Sequence, residues 1–241
     1  MEPLEHEHTA EAIAERIASA DHSYIRDFIY GGIDGAVTTF AIVSGVSGAE
    51  LSPNIVLILG FANLVADGFS MAASNYLATR AEHDDYRRLE TIEYRHIDVT
   101  PEGERQEVRQ IYREKGFDGE DLEKAVDLIT SDKDRWVKTM LAEEHGLPAE
   151  IRSPWRAGGA TLVAFVLCGL VPLVPFLFGI GPSFLISCIA TGVTFFLIGS
   201  ARSRWSTSGW LRTGFESLSV GALAAGLAYG IGLLLKGLAP V

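Results

Sequence analysis

Cysteine and basic residues are both scarce in this chain of 241 residues. Cys168 and Cys188 lie in apolar stretches, and neither belongs to a Cys-x-x-Cys or Cys/His spacing, which argues against a metal or redox centre built on thiols. The 20 Lys and Arg residues face 31 Asp and Glu, which gives a net charge of −11. That balance argues against nucleic acid as a partner and favours cations.

Hydrophobic residues, by contrast, are abundant. They make up 48% of the chain, with 25 glycines and a mean hydropathy of +0.20, which is too apolar for an ordinary soluble domain. We predict an all-α, polytopic membrane protein with five transmembrane helices and a helical insert between the second and third. The predicted regions are a tail at 1–24, spans 1 and 2 at 25–80, the insert at 81–152 and spans 3 to 5 at 153–241.

The sequence also marks how the helices pack and where they break. Gly31, Gly32, Gly35 and Ala36 place small residues at a spacing of four, which lets helix backbones approach closely. Pro172 and Pro175 are expected to kink or end the third span. In the tail, the run AEAIAERIASA predicts a short amphipathic helix.

The stretch from Pro53 to about Asp98 carries the first candidate site. It contains no further proline and predicts one long helix, on which Asn63, Asp67 and Met71 share a face at intervals of four. The first span holds Asp34, at about the same predicted depth as Met71. Carboxylates inside a bilayer are costly and indicate function, and a carboxylate with a thioether suits a borderline transition metal.

The insert carries the second candidate site. Between positions 82 and 150 there are 20 acidic and 11 basic residues, so this segment contributes −9 of the net charge. Single surface glutamates are usually just solvated, but a Glu-x-x-His unit on a bundle helix can supply metal ligands. The candidate ligands are Glu90, Glu93, His96, Glu104, Glu107, Met140, Glu143 and Glu144.

Arginines near the predicted span ends fall on one side of the membrane, whereas the loops near Glu50 and Gly181 carry no Lys or Arg. The positive-inside rule then places the N-terminus and the insert in the cytoplasm. The chain has no eukaryotic-looking targeting segment, so we expect a prokaryotic plasma membrane.

Several of these pieces together resemble the vacuolar iron transporter family. The most specific are RDFIYGGIDGAVTTFA, ADGFSMAASNYLATRAE, GLVPLVPF and RTGFES, which occur in this order around the glutamate-rich insert. The resemblance implies a homodimer in which the first two spans of each subunit line a path for Fe²⁺, or Mn²⁺ and other divalent ions, in exchange for protons.

The same resemblance assigns roles to residues. Asp34 and Met71 correspond to the metal-binding pair in the membrane, and Glu93, Glu104, Glu107 and Glu144 to metal-binding glutamates of the insert, with Met140 beside them. The chain departs from the family in having His96 at one such glutamate position. It also has Asn63 where relatives often have a glutamate, and we expect Asp67 to take over that carboxylate's role.

The leading hypothesis is therefore a proton-coupled exporter of divalent transition metal, with Fe²⁺, Mn²⁺, Zn²⁺ or Co²⁺ as the transported and regulatory ion. It needs no permanently bound cofactor and is not an enzyme. The alternative is a membrane-anchored, ferritin-like di-iron protein that oxidises Fe²⁺, motivated by Glu93-x-x-His96 and Glu104-x-x-Glu107. A third possibility, compatible with the first, is an insert that senses metal and gates the path.

Overall fold

The structure is a computed structural model that describes residues 8–18, 23–148 and 151–238. Within those ranges every regular element is helical and there is no strand, which confirms the all-α prediction. Of the predicted tail, residues 1–7 and 19–22 lie outside the description. The predicted amphipathic run forms α1, Ala10–Ala18.

Five helices are long and apolar enough to cross a membrane, which confirms the predicted number of spans. They are Ile25–Gly48, Pro53–Val99, Pro154–Leu177, Ser183–Trp205 and Trp210–Leu235.

The first two of these helices are α2, Ile25–Gly48, and α3, Pro53–Val99. α3 has 47 residues, more than twice the roughly 20 that a helix needs to cross a bilayer. No charged residue occurs between Asp67 and Arg80, and charges are frequent after Arg80. The part of α3 that is compatible with lipid therefore ends near Arg80.

The chain divides into two compact units. The span unit comprises Met1–Ala73 and Arg156–Val241, and the insert unit comprises Ser74–Trp155, so that α3 runs through both. Three further helices lie in the span unit: α8, Val174–Leu177, α9, Ser183–Arg202, and α10, Trp210–Leu235. α7, Pro154–Leu170, belongs to it from Arg156 onward. In that unit α10 packs against α2 and α9, and α2 against α9.

Proline and glycine act in the span unit as the sequence predicts. α7 ends at Leu170, and Pro172 lies in a short 3-10 turn, Val171–Leu173, that separates it from α8. A Cβ atom at Gly35 would lie 2.3 Å from the carbonyl oxygen of Phe165, and one at Gly31 would lie 2.4 Å from that of Thr161. The small residues of α2 thus let α7 approach to backbone contact, as predicted.

The insert unit is built from the second half of α3 and three shorter helices. These are α4, Pro101–Glu114, α5, Gly119–Thr130, and α6, Lys133–Glu143. α4 begins with Pro101, whose missing N–H would have no helical partner there, and α6 is capped by the Asp132 carboxylate, which accepts from the Arg135 amide at 2.8 Å. Gly146 has φ +64°, a left-handed conformation that suits glycine just after a helix.

An apolar core holds the insert helices together. Met140 is completely buried in this core, as are Val108 and Val126. The other fully or nearly buried members are Ile97, Leu122, Ile129, Trp136, Val137 and Leu141. Since each of α3 to α6 contributes to it, the core fixes the polar residues on the same helices relative to one another.

Candidate functional site

A polar contact joins the first two spans. The side-chain amide nitrogen of Asn63 on α3 donates to the Thr38 hydroxyl oxygen on α2 at 3.1 Å. The Thr38 hydroxyl in turn donates to the backbone carbonyl of Asp34 at 2.9 Å. Asn63 is half-buried, and a polar group in an apolar setting is costly without a hydrogen bond. The contact with Thr38 satisfies the Asn63 amide.

One helical turn from this contact, Asp34 and Asp67 are brought together. Asp34 lies four residues before Thr38 on α2, and Asp67 lies four residues after Asn63 on α3. Because the two helices are antiparallel and Thr38 is opposite Asn63, Asp34 is opposite Asp67. The two carboxylates are half-buried and close enough to repel each other. Within the described part of the chain, neither side chain has a hydrogen bond or an ion pair.

That arrangement has a chemical consequence. Two neighbouring carboxylates in a membrane span, without a basic partner, are costly unless a cation or protons balance their charge. Asp34 and Asp67 can therefore hold a cation between them, which would remove the repulsion.

Met71 lies one turn, about 6 Å, beyond Asp67 on the same face of α3. Its half-buried side chain packs against the apolar core of the span unit, which includes Phe40, Leu64 and Phe165. The hydrogen-bonded register therefore puts Asp67 opposite Asp34 and Met71 one turn further along. Depth counted along each span predicts Met71 level with Asp34, which differs from this register by one turn.

A further acid at the membrane boundary is accounted for by a local partner. Glu216, in the first turns of α10, pairs with Arg202 at the end of α9, with 2.5 Å between Oε2 and Nη2. Both side chains are exposed, so this contact is a surface ion pair. It has no part in the Asp34–Asp67 group.

The insert unit holds a second cluster around Glu93. This glutamate is only 2% exposed, and its Oε1 lies 3.0 Å from Nε2 of His145. The same imidazole nitrogen is 3.9 Å from Oε2 of Glu144. One ligand atom from each of the three residues falls within 4.8 Å of the others, a spacing that a single metal ion could draw together.

Glu104 and His96 form the neighbouring part of the cluster. Glu104 is 4% exposed, and its Oε1 lies 3.3 Å from Nδ1 of His96. Its second oxygen, Oε2, is buried with no hydrogen-bond partner in the described structure, and the same holds for Oε2 of Glu93. Unpartnered buried carboxylate oxygens are costly, and they are free to bind a cation.

The electrostatics of the cluster follow from this burial. Desolvation, then the nearby charges of Glu107 and Glu93, raise the pKa of Glu104 to about 7, with His96 opposing the shift. Burial also raises the pKa of Glu144, which His145 counteracts. Because Glu107, itself exposed, acts on both groups, it lies beside them.

The remaining predicted ligands have other surroundings. Glu143 is bound by the Lys115 ammonium, and Met140 is enclosed in the apolar core. Glu90 is half-buried one turn before Glu93 on α3.

His145 was not predicted as a site residue, although the structure places it directly on Glu93. The two residues are 52 positions apart in the chain, so no local spacing motif joins them. The sequence signal that could have identified it is the Glu143-Glu144-His145 run, which stands just before Gly146, where α6 ends.

This geometry defines a class of protein. It is a multi-pass helical membrane protein with an acidic pair in its first two spans and a carboxylate–imidazole cluster in its insert. The profile of the VIT family matches residues 25–233, and the chain belongs to that family. It is 33% identical to a vacuolar iron transporter of Toxoplasma gondii over 92% of this chain and 78% of that protein. Vacuolar iron transporter 1 of Arabidopsis thaliana is 32% identical over 85% of this chain and 83% of its own length.

These comparisons decide between two of the hypotheses. The relatives are named as transporters and not as enzymes, and a third, from Plasmodium falciparum, is again named a vacuolar iron transporter at 30% identity over 90% of this chain. The resemblance noted from the sequence motifs is confirmed, as is the prediction that the chain is not an enzyme. The alternative of an anchored di-iron enzyme is therefore set aside.

Proposed function

We propose that this protein moves divalent transition metal across a membrane. The observation that carries the proposal is the Asp34–Asp67 pair, two carboxylates in the first two spans that lack a basic partner among the described residues. Membership of a family whose named relatives are iron transporters supports it. Fe²⁺ is the first candidate, with Mn²⁺, Co²⁺ and Zn²⁺ as further substrates of a mixed carboxylate and thioether site.

In this proposal Asp34 and Asp67 bind the ion in the spans, and Met71 supplies a soft ligand one turn away. Asn63, held by Thr38, positions α3 against α2 at this level. When the metal leaves, the two carboxylates take up protons, since their mutual repulsion has to be balanced again. Release of those protons on the cytoplasmic side resets the site. Metal export is therefore exchanged for proton entry.

The insert gathers metal for the spans. Its excess of acidic residues attracts cations, and the buried oxygens of Glu93 and Glu104 retain them. By the positive-inside rule, the arginines that flank the spans favour a cytoplasmic insert and N-terminus. Metal thus travels from the insert to the spans and out of the cytosol.

One further part of the proposal comes from the resemblance. The functional form is a homodimer whose first two spans from each subunit enclose the path. The exposed apolar residues of α3, such as Val65 and Phe69, provide a surface for such a partner.

The named relatives come from eukaryotes and carry vacuolar names, so they lend no support to the prokaryotic plasma membrane.

The test is metal uptake into proteoliposomes that contain the purified full chain. With an inside-acidic pH gradient, Fe²⁺ kept reduced on the outside should enter faster than into empty vesicles, and the lumen should become more alkaline as it does. Collapsing the gradient with a protonophore should slow the entry. Uptake equal to that of empty vesicles would refute transport, and uptake that is indifferent to the gradient would refute proton exchange alone.

A further inference from the structure

We infer that His145 is a metal ligand of the insert and determines its preference for transition metals over Ca²⁺ and Mg²⁺. The inference rests on the proposed function, because it assumes that the insert binds the transported ion. It concerns one residue that the sequence motifs do not mark.

The geometry assigns His145 to the cluster. Its Nε2 atom lies 3.0 Å from Oε1 of Glu93 and 3.9 Å from Oε2 of Glu144. Ligand atoms that share one ion at about 2.1 Å are themselves roughly 3 to 4 Å apart. The imidazole nitrogen therefore already stands at ligand spacing from both carboxylates.

An independent observation indicates that the cluster receives a cation. Oε2 of Glu93 is fully buried and has no hydrogen-bond partner within the described structure, although the residue is only 2% exposed. Oε2 of Glu104 is in the same condition. A simple imidazole–carboxylate hydrogen bond would account for one oxygen of Glu93 and leave the other at a cost, whereas a bound ion satisfies both.

The chemistry of the donor set then gives the preference. Carboxylates alone bind Ca²⁺, Mg²⁺ and Mn²⁺ readily, and an imidazole nitrogen adds affinity for Fe²⁺, Co²⁺ and Zn²⁺. His145 is half-buried at the end of α6, so its ring is confined beside Glu93. The imidazole fixed beside Glu93, in addition to that of His96 on Glu104, makes the insert a more selective collector than glutamates alone would be.

The test variant is His145→Gln, whose amide can still donate to Glu93 and so keeps a purely structural contact. The matched control is His83→Gln, which removes an imidazole from α3 outside the cluster. Full-length protein in detergent, carrying Asp34→Asn in every case to weaken the span site, is loaded with one equivalent of Co²⁺. X-ray absorption fine structure then counts imidazoles on the ion, and competition titrations compare Co²⁺ with Ca²⁺.

We expect His145→Gln to lose one imidazole per ion and to bind Co²⁺ more weakly by about tenfold or more, with Ca²⁺ affinity nearly unchanged. His83→Gln should match the parent protein in both measurements. An unchanged imidazole count and Co²⁺ affinity in His145→Gln would overturn the inference, as would a failure of Co²⁺ to bind the insert at all. Co²⁺ uptake by vesicles containing the wild-type chain is measured in parallel, so that a wrong ligand assignment is told apart from a failure of the transport proposal.

Discussion

At the scale of single residues, the insert buries carboxylate oxygens that have no hydrogen-bond partner in the described structure, an arrangement that lowers the stability of a fold. Glu93 and Glu104 are nearly inaccessible, and each leaves one oxygen without a hydrogen bond in the described structure. An unsatisfied buried polar atom costs about 1–3 kcal/mol, and more when it is charged. The fold tolerates this cost because the apolar core beside the cluster, in which Met140 is fully buried, holds the four helices in place.

The raised pKa of Glu104 predicts how metal binding depends on pH. With a pKa of about 7, this carboxyl is largely protonated at pH 6 and largely ionised at pH 8. Because an ion binds only the ionised form, the affinity of the insert for Co²⁺ should fall as the pH is lowered from 8 to 6. Titration calorimetry on the full-length protein carrying Asp34→Asn checks this.

The variant Glu104→Gln should bind Co²⁺ more weakly at pH 8 and lose less affinity on acidification than its parent. Glu102→Gln changes an exposed acid on the same helix and should leave the pH profile unaltered. Identical slopes for the parent and Glu104→Gln would mean that this carboxyl is not a ligand.

Glu104 also predicts the sign of a stability effect. Its pKa is higher in the folded insert than the ordinary 4.5, so the metal-free folded state holds a proton that the unfolded chain releases between about pH 4.5 and 7. The contribution of this residue to stability is therefore greatest at the acidic end of that window and declines as the pH rises through 7. Bound metal, by replacing the proton, should remove the decline.

At the scale of helices, most boundaries are predictable because their causes are local. Pro53, Pro101 and the pair Pro172 and Pro175 mark starts and breaks that follow from the missing N–H and the fixed φ of proline. The second predicted helix emerges as a single 47-residue α3 since nothing after Pro53 interrupts it. The register between α2 and α3 could not be predicted from the lengths of the spans. Sliding one helix past the other by one turn leaves the sequence pattern of each helix unchanged, so the sequence does not distinguish the two registers.

Close packing of α2 against α7 predicts an intolerance to side chains at Gly35. A Cβ atom there would lie 2.3 Å from a backbone oxygen of Phe165, so Gly35→Ala has to push the helices apart. We expect a loss of about 1–3 kcal/mol in stability, seen as a lower melting temperature of the detergent-solubilised protein.

Gly159→Ala is the matched control for this prediction. It adds the same methyl group to α7 at a position with nothing within 4 Å, and replaces glycine by a better helix former. Its melting temperature should equal or exceed that of the wild type. A Gly35→Ala protein that melts with the control would contradict the close approach of the two helices.

At the scale of the whole molecule, the chain comprises two compact units, each with its own group of acidic residues. The span unit holds the Asp34–Asp67 pair, and the insert unit holds the Glu93–Glu104 cluster. The acidic character of both could be predicted from the sequence, because carboxylates in a span and a Glu-x-x-His unit are visible as patterns. The position of His145 could not, since it depends on where packing of the insert core ends α6.

The central claim is that the acidic pair of the spans carries the transported ion, and one measurement tests it most directly. Initial rates of Fe²⁺ uptake into proteoliposomes are compared for the wild type, Asp34→Asn, Asp67→Asn and Glu216→Gln. Glu216 serves as the control because it is a membrane-boundary acid already paired with Arg202. The account predicts that either aspartate variant falls to about a tenth of the wild-type rate or lower while Glu216→Gln transports normally. Wild-type rates in both aspartate variants would contradict it.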